Sequence, residues 1–313
     1  MELISKITQG DQSALAKGIT LLESSLEKDL LDAQNLVSKC LPLSGNSIRI
    51  GITGVPGVGK STFIDVFGKL LTKKGHKVAV LAIDPTSNKT HGSILGDKSR
   101  MNQLSVDKNA FIRPSPSSGT LGGVANKTKE SIILCEAAGY DIVLIETVGV
   151  GQSETTVSNL TDFFLLLMLA GAGDELQGIK RGIMEQADYI IINKADGKNI
   201  TNANNAALTY KRSIHLFPPM ENGWVPQVSI CSAIKNTGID KVYKTINTYN
   251  AQMNSNGWKE HNREQQEIYW LHEKIKEEFG KKEYNNLISN KKIQLLEKDL
   301  KSGKKLYEII KDL

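Results

Sequence analysis

The sequence predicts an α/β protein whose mostly parallel sheet is covered by helices on both faces, with helical extensions at the two ends. Three observations carry this. Apolar runs at 47–53, 77–83, 141–146, 163–169, 188–192 and 228–230 have the length of strands and alternate with helix-patterned stretches. The runs are nearly continuous in apolar residues, as strands buried on both faces are, and the strand–helix alternation makes the sheet parallel. A glycine-rich segment separates the first run from the helix pattern that follows it, at the carboxyl end of a strand, where such sheets open their ligand crevice. The expected organisation is a helical extension at 1–44, a nucleotide-binding domain at 45–250 and a helical arm at 251–313.

At the start of the chain Leu15, Ile19, Leu22, Leu26 and Leu30 recur every three or four residues, with Asp11 placed to cap the helix. After the first strand comes Gly54-Val55-Pro56-Gly57-Val58-Gly59-Lys60-Ser61, leading into a helix pattern over 61–74. This is the pattern of a P-loop, and the fold reads as a P-loop NTPase. Its glycines let the N–H groups of Gly57, Val58 and Gly59 approach phosphate oxygens. Lys60 reaches the β- and γ-phosphates, Ser61 ligates Mg²⁺, and the helix start at Ser61 and Thr62 adds the positive end of a dipole.

The second strand ends in Asp84 and opens a polar segment to Arg100 that contains Gly92, Gly96 and Asp97. Two readings stay open for it: a loop over phosphates, or a solvated loop whose aspartates cap helices. Residues 113–123 form a second glycine- and serine-rich loop without a role assignable from chemistry. The third strand runs into Glu146-Thr147-Val148-Gly149, the expected place for a carboxylate that holds Mg²⁺ through a water and for a glycine that senses the γ-phosphate. A strand-end glutamate without a basic neighbour in sequence is costly to bury for structure alone. After the fourth strand, the stretch from Gly171 to Gly182 sets Asp174, Glu175, Lys180 and Arg181 among four glycines, a switch-like loop; a helix start capped by Asp174 is the competing reading.

The nucleotide is chosen by Asn193-Lys194-Ala195-Asp196, which ends the fifth strand. A carboxylate at Asp196 can accept from both N1–H and the 2-amino group of guanine, and adenine offers no such pair, so GTP is favoured over ATP. Asn193 is expected to tie this loop to the P-loop and Lys194 to lie along the base. The turn Cys231-Ser232-Ala233, after the last strand, is expected to close over guanine through backbone contacts. Gln152 is the candidate for orienting the attacking water. In the tail, Ile268, Leu271, Ile275 and Phe279 make a helical stripe that Leu287, Ile288, Leu295, Leu296 and Leu300 prolong. Such faces are covered either by self-association, which this reading favours, or by folding back on the chain's own core.

Composition excludes several classes. The net charge of +5 is mild and the lysines are dispersed, so nucleic acid is not an expected partner. Cys40, Cys135 and Cys231 lie far apart, which argues against a disulfide framework and a cysteine zinc site. The start MELISKITQGDQ lacks the pattern of a signal peptide, and the apolar run 163–172 is too short to span a bilayer. The expectation is a cytoplasmic protein without membrane contact.

The P-loop through Thr62, Ser93-Ile94-Leu95-Gly96-Asp97-Lys98, the segment 113–123, Glu146-Thr147-Val148-Gly149-Val150-Gly151-Gln152-Ser153-Glu154, the segment 171–180 and Asn193-Lys194-Ala195-Asp196 together resemble the MeaB/ArgK/MMAA GTPases of the SIMIBI class. The likeness extends into the tail at Arg263, Gln266 and Trp270. It implies a GTP-hydrolysing, Mg²⁺-dependent chaperone for an adenosylcobalamin-dependent acyl-CoA mutase, usually methylmalonyl-CoA mutase, that gates cofactor loading and protects or reactivates its client. It also implies a homodimer through the C-terminal helices, with the cobalamin carried by the partner enzyme. By the same resemblance Ser61, Asp84, Asp97 and Glu146 are the Mg²⁺ and switch residues, while Asp174 and Lys180 belong to a loop that transmits nucleotide state and stabilises transition-state charge. His91 departs from the family pattern, which commonly has glycine there. The alternatives are a nickel- or cobalt-insertion GTPase of the same class, which calls for a Cys/His cluster that the scattered His76, His91, His215, His261 and His272 do not make, and a scaffold that binds GTP without hydrolysing it.

Overall fold

The computed structural model describes residues 2–24, 26–83, 101–114, 121–147, 157–171, 181–304 and 306–313. Seven strands form one parallel sheet: β1 (Ile48–Gly54), β2 (Val78–Ile83), β3 (Ala110–Arg113), β4 (Ile142–Thr147), β5 (Phe163–Leu169), β6 (Tyr189–Asn193) and β7 (Gln227–Ile230), in the order β3-β2-β4-β1-β5-β6-β7. The six expected strands are present within a residue of their predicted ends. β3 is the addition, a four-residue edge strand too short to show a periodicity of its own. β1 lies between β4 and β5, so the loops that leave it face the crevice where the strand order reverses.

Alternate strand residues feed two cores, one on each face. Ile50, Ile52, Val80, Leu144, Leu165 and Ile191 meet Phe63, Ile64, Phe67 and Leu71 of α4 (Lys60–Lys73) and Val242, Ile246 and Tyr249 of α8 (Ile239–Ser255). On the opposite face Leu81, Val143, Ile145, Leu166 and Ile190 meet α5 (Leu121–Ala137), α6 (Arg181–Gln186) and α7 (Ile200–Ile214), together with the N-terminal helices α1 (Glu2–Thr8), α2 (Gln12–Glu23) and α3 (Glu27–Cys40).

Asp11 caps α2 as expected, accepting from Ala14 N at 2.8 Å, and Leu15, Ile19 and Leu22 are buried. The leucine stripe does not continue through one helix, however. Ser24 Oγ accepts from Leu26 N and donates to Asp29 Oδ2, a local turn that ends α2 and starts α3 in a new direction. Leu26 and Leu30 are consequently exposed by 54% and 44%.

In the tail, α9 (Trp258–Ser289) breaks at Gly280, whose φ of 78° and ψ of 166° are not helical. Its first half lies on the sheet domain, burying Trp270. Leu271, Ile275 and Leu287 then pack with Ile293 and Leu296 of α10 (Lys292–Lys301) and Ile309 and Ile310 of α11 (Leu306–Lys311) in a third cluster. The main apolar faces of the arm are thus covered from within the chain, the less favoured of the two expected solutions, while Phe279, Ile288 and Leu295 stay exposed.

Candidate nucleotide site

β1 ends in a constriction. A Cβ on Gly54 would stand 2.4 Å from the Leu167 carbonyl of β5, so no side chain fits there. Val58, fully buried, anchors the loop to the core, and Gly59 at φ 95° turns the chain into α4 without a side-chain cap. The amide groups of Lys60, Ser61 and Thr62 are left at the positive end of a 14-residue helix. Lys60 Nζ donates to Gly54 O at 2.6 Å and Val55 O at 3.4 Å, folding over the loop it belongs to.

The metal-binding expectation unites residues 85 positions apart. Ser61 Oγ donates to Glu146 Oε1 at 3.1 Å. Glu146, the penultimate residue of β4, is in register with Ile52 of β1 and Ala82 of β2, and is only 4% exposed. A hydroxyl and a carboxylate oxygen at a strand-end crevice are the hard donors that Mg²⁺ takes. Beside them Thr147 Oγ1 donates to Thr53 Oγ1 at 2.8 Å, a bond across neighbouring strands that no pattern in the sequence announces. Asp65 is another unannounced contributor: its carboxylate, 7% exposed on α4, accepts from Leu104 N at 2.8 Å and Gln103 N at 3.1 Å and anchors the chain there.

At the end of β6, Asn193 Nδ2 donates to Val58 O at 2.9 Å, the expected tie to the P-loop. Lys194, at φ 57°, places its ammonium on Gly57 O at 2.7 Å, so its stem bridges the two loops. Asp196 Oδ2 accepts from Ser232 Oγ at 2.5 Å, and Ser232 Oγ in turn accepts from Lys235 N at 3.1 Å. The last turn is thereby held to the Asp196 loop by a side chain. Ala233 beside it is buried. Lys60, Ser61, Glu146, Asn193, Lys194, Asp196 and Ser232 thus line one continuous edge of the sheet, with Gly57 and Val58 joining the two halves. Asp84, His91, Asp97, Gln152, Asp174 and Lys180 lie outside the described residues.

A parallel sheet with a P-loop after its central strand, a buried strand-end carboxylate bonded to the P-loop serine and an Asn-Lys-Ala-Asp loop tied to that P-loop defines a P-loop GTPase. The family profile described as methylmalonyl Co-A mutase-associated GTPase MeaB matches residues 15–287. The chain is 46% identical to GTPase ArgK of Escherichia coli K12, over 92% of this chain and 86% of that one. It is 42% identical to the mitochondrial methylmalonic aciduria type A homolog of Mus musculus, over 96% of this chain and 75% of the relative. A crystal structure described as LAO/AO transport system kinase superposes with a TM-score of 0.78 at 36% identity, covering 99% of this chain and 97% of the other. The chain belongs to the MeaB family and is a GTPase of the SIMIBI class. Among the described residues no helix is long and apolar enough to cross a membrane.

Proposed function

We propose that this GTPase is a chaperone for an adenosylcobalamin-dependent acyl-CoA mutase, methylmalonyl-CoA mutase before others, gating cofactor loading and protecting or reactivating its client. The guanine half of the reading is carried by Asp196, held by Ser232 on a loop bonded to the P-loop. The client half rests on the family, whose description names that mutase. The cobalamin stays with the client in the cytoplasm. The exposed Phe279, Ile288 and Leu295 of the arm support a homodimer contact.

In the working site the base of GTP sits against Asp196 and its phosphates lie on the amides of 57–62. Lys60 exchanges its carbonyl partners for phosphate oxygens and stabilises the charge that builds as water attacks the γ-phosphate in line. Ser61 and Glu146, with Asp84 and Asp97, would hold Mg²⁺, which would supply positive charge against the triphosphate. Asp174 and Lys180 carry the nucleotide state to the client, and intrinsic turnover is slow until the client binds.

The test is GTP hydrolysis against an ATP control, with and without a candidate mutase from the same organism. Stimulation confined to GTP and lost in Lys180→Ala is expected. A GTPase rate that no such mutase alters sinks the chaperone reading and leaves the hydrolase. A purified chain already turning over at the stimulated rate removes the slow intrinsic step.

A further inference from the structure

Asn193 is engaged on both sides. Its Nδ2 donates to Val58 O, and its Oδ1 accepts from the thiol of Cys231 at 3.3 Å. An amide with a donor on its oxygen and an acceptor on its nitrogen cannot turn over without losing both bonds. The thiol is brought there by the backbone. Cys231 N donates to Ile192 O and Ala195 N donates to Cys231 O, each at 2.9 Å, so the turn after β7 is stitched to the loop after β6 on either side of Asn193. The space is tight, since a Cβ on Gly59 would stand 2.9 Å from Asn193 Nδ2. Cys231 itself is 1% exposed, with its body in the apolar cluster that contains Val58 and Ala233. A cysteine suits this position because it packs as a small apolar residue while offering one weak donor.

We propose that Cys231 is a positioning residue for the nucleotide: its thiol fixes the Asn193 amide, and through that amide locks the base-reading loop to the P-loop, so that base and phosphates are gripped by one rigid unit. The inference rests on the reading of Asp196 as the guanine acceptor. Burial pushes the Cys231 thiol up to about 12, so it remains an S–H donor across the physiological range and is no thiolate nucleophile.

Steady-state hydrolysis of GTP, inosine triphosphate and ATP by the full chain and by Cys231→Ser, Cys231→Ala and Cys231→Val, with thermal unfolding of each, tests this. Cys231→Ala and Cys231→Val are expected to raise KM for GTP about 3- to 5-fold, the lower part of what one hydrogen bond is worth, the thiol being a weak donor. kcat should hardly move, because base contacts are made equally in the ground and transition states. The preference for GTP over inosine triphosphate, which lacks the 2-amino group, should shrink as Asp196 loses its fixed place. Cys231→Ser keeps a donor and should stay within about 2-fold of the parent KM. A residue that only fills space gives the reverse order, with the apolar variants nearer the parent, because a buried hydroxyl costs more than a methyl group. That order, or an unchanged KM in Cys231→Ala, overturns the proposal. A parent chain that does not prefer GTP to ATP overturns the guanine reading instead.

Discussion

The two ends of the same sheet are both rich in polar residues and use them for opposite purposes. At the carboxyl end, Lys60 donates to the carbonyls of Gly54 and Val55 and Ser61 donates to Glu146, bonds within the loop and crevice that a ligand can replace. At the amino end the charges are spent on the fold. Arg263 of α9 donates to both oxygens of Asp162 at 2.8 and 2.7 Å and to the carbonyls of Gly45 and Ser47. Arg49 forms a two-pronged pair with Glu136, which also accepts from Ser47 Oγ and Gly45 N. Gln266 and Trp270 complete the seam, donating to the carbonyls of Thr161 and Asn159 at 2.7 and 2.9 Å. Burial by itself would raise the carboxyl of Asp162, yet the bonds to Arg263 and the charge of Arg49 outweigh it and hold that carboxyl below its usual range. Saturated partners mark a structural end, and exchangeable partners mark a working one.

That contrast can be broken at three places. The largest effect is expected from Asp162→Ala, which strands Arg263 in the seam. Chemical denaturation should show a loss of about 3–5 kcal/mol, while the folded fraction keeps its affinity for GTP; a weakened nucleotide affinity at full folding would erase the distinction. Lys60→Met is the converse. Hydrolysis should fall about 10²- to 10³-fold with stability changed by less than about 1 kcal/mol, and a comparable drop in stability would mean that the P-loop lysine also serves the fold.

The third place is Asp188, at the amino end of β6, whose effect depends on pH. It accepts from Phe164 N at 2.8 Å, and burial pushes its carboxyl up to about 7. The folded state therefore holds a proton that the unfolded state releases near pH 4. Stability should decline as pH rises from about 4 to about 7 and level off above that, by on the order of 4 kcal/mol in all. Asp188→Asn, which keeps an acceptor for Phe164 N, should flatten the decline and be the more stable chain at pH 8. Parallel stability profiles for parent and variant would refute the assignment.

The two ends also differ in how far the sequence discloses them. The nucleotide end rests on backbone chemistry, which demands glycine at fixed spacing, as at Gly54 and Gly59, and on strand-end residues such as Glu146 and Asn193 that follow long apolar runs. Those signals are local and therefore legible. The seam pairs Arg49 with Glu136 and Arg263 with Asp162 across 87 and 101 residues, and no local pattern records such a partnership. Arg263, Gln266 and Trp270 could be recognised by family resemblance, but what they grip could not. The break after α2 hinges on a serine turn weaker as a signal than the leucine spacing around it. Ser232 is legible as part of the closing turn, yet its hydroxyl contact with Asp196 depends on how two strand ends converge.

The place of β1 in the sheet also bears on how the chain comes to fold. Its partners are β4 and β5, not β2, so no hairpin or immediate crossover builds the strand that carries the P-loop. A growing polypeptide must reach Leu169 before both flanks of β1 can be paired, and long-range parallel pairing of this kind is slow. The phosphate cradle thus leaves the ribosome before the strands that flank it and takes shape only after them, and until then its apolar strand is open to pairing with other chains.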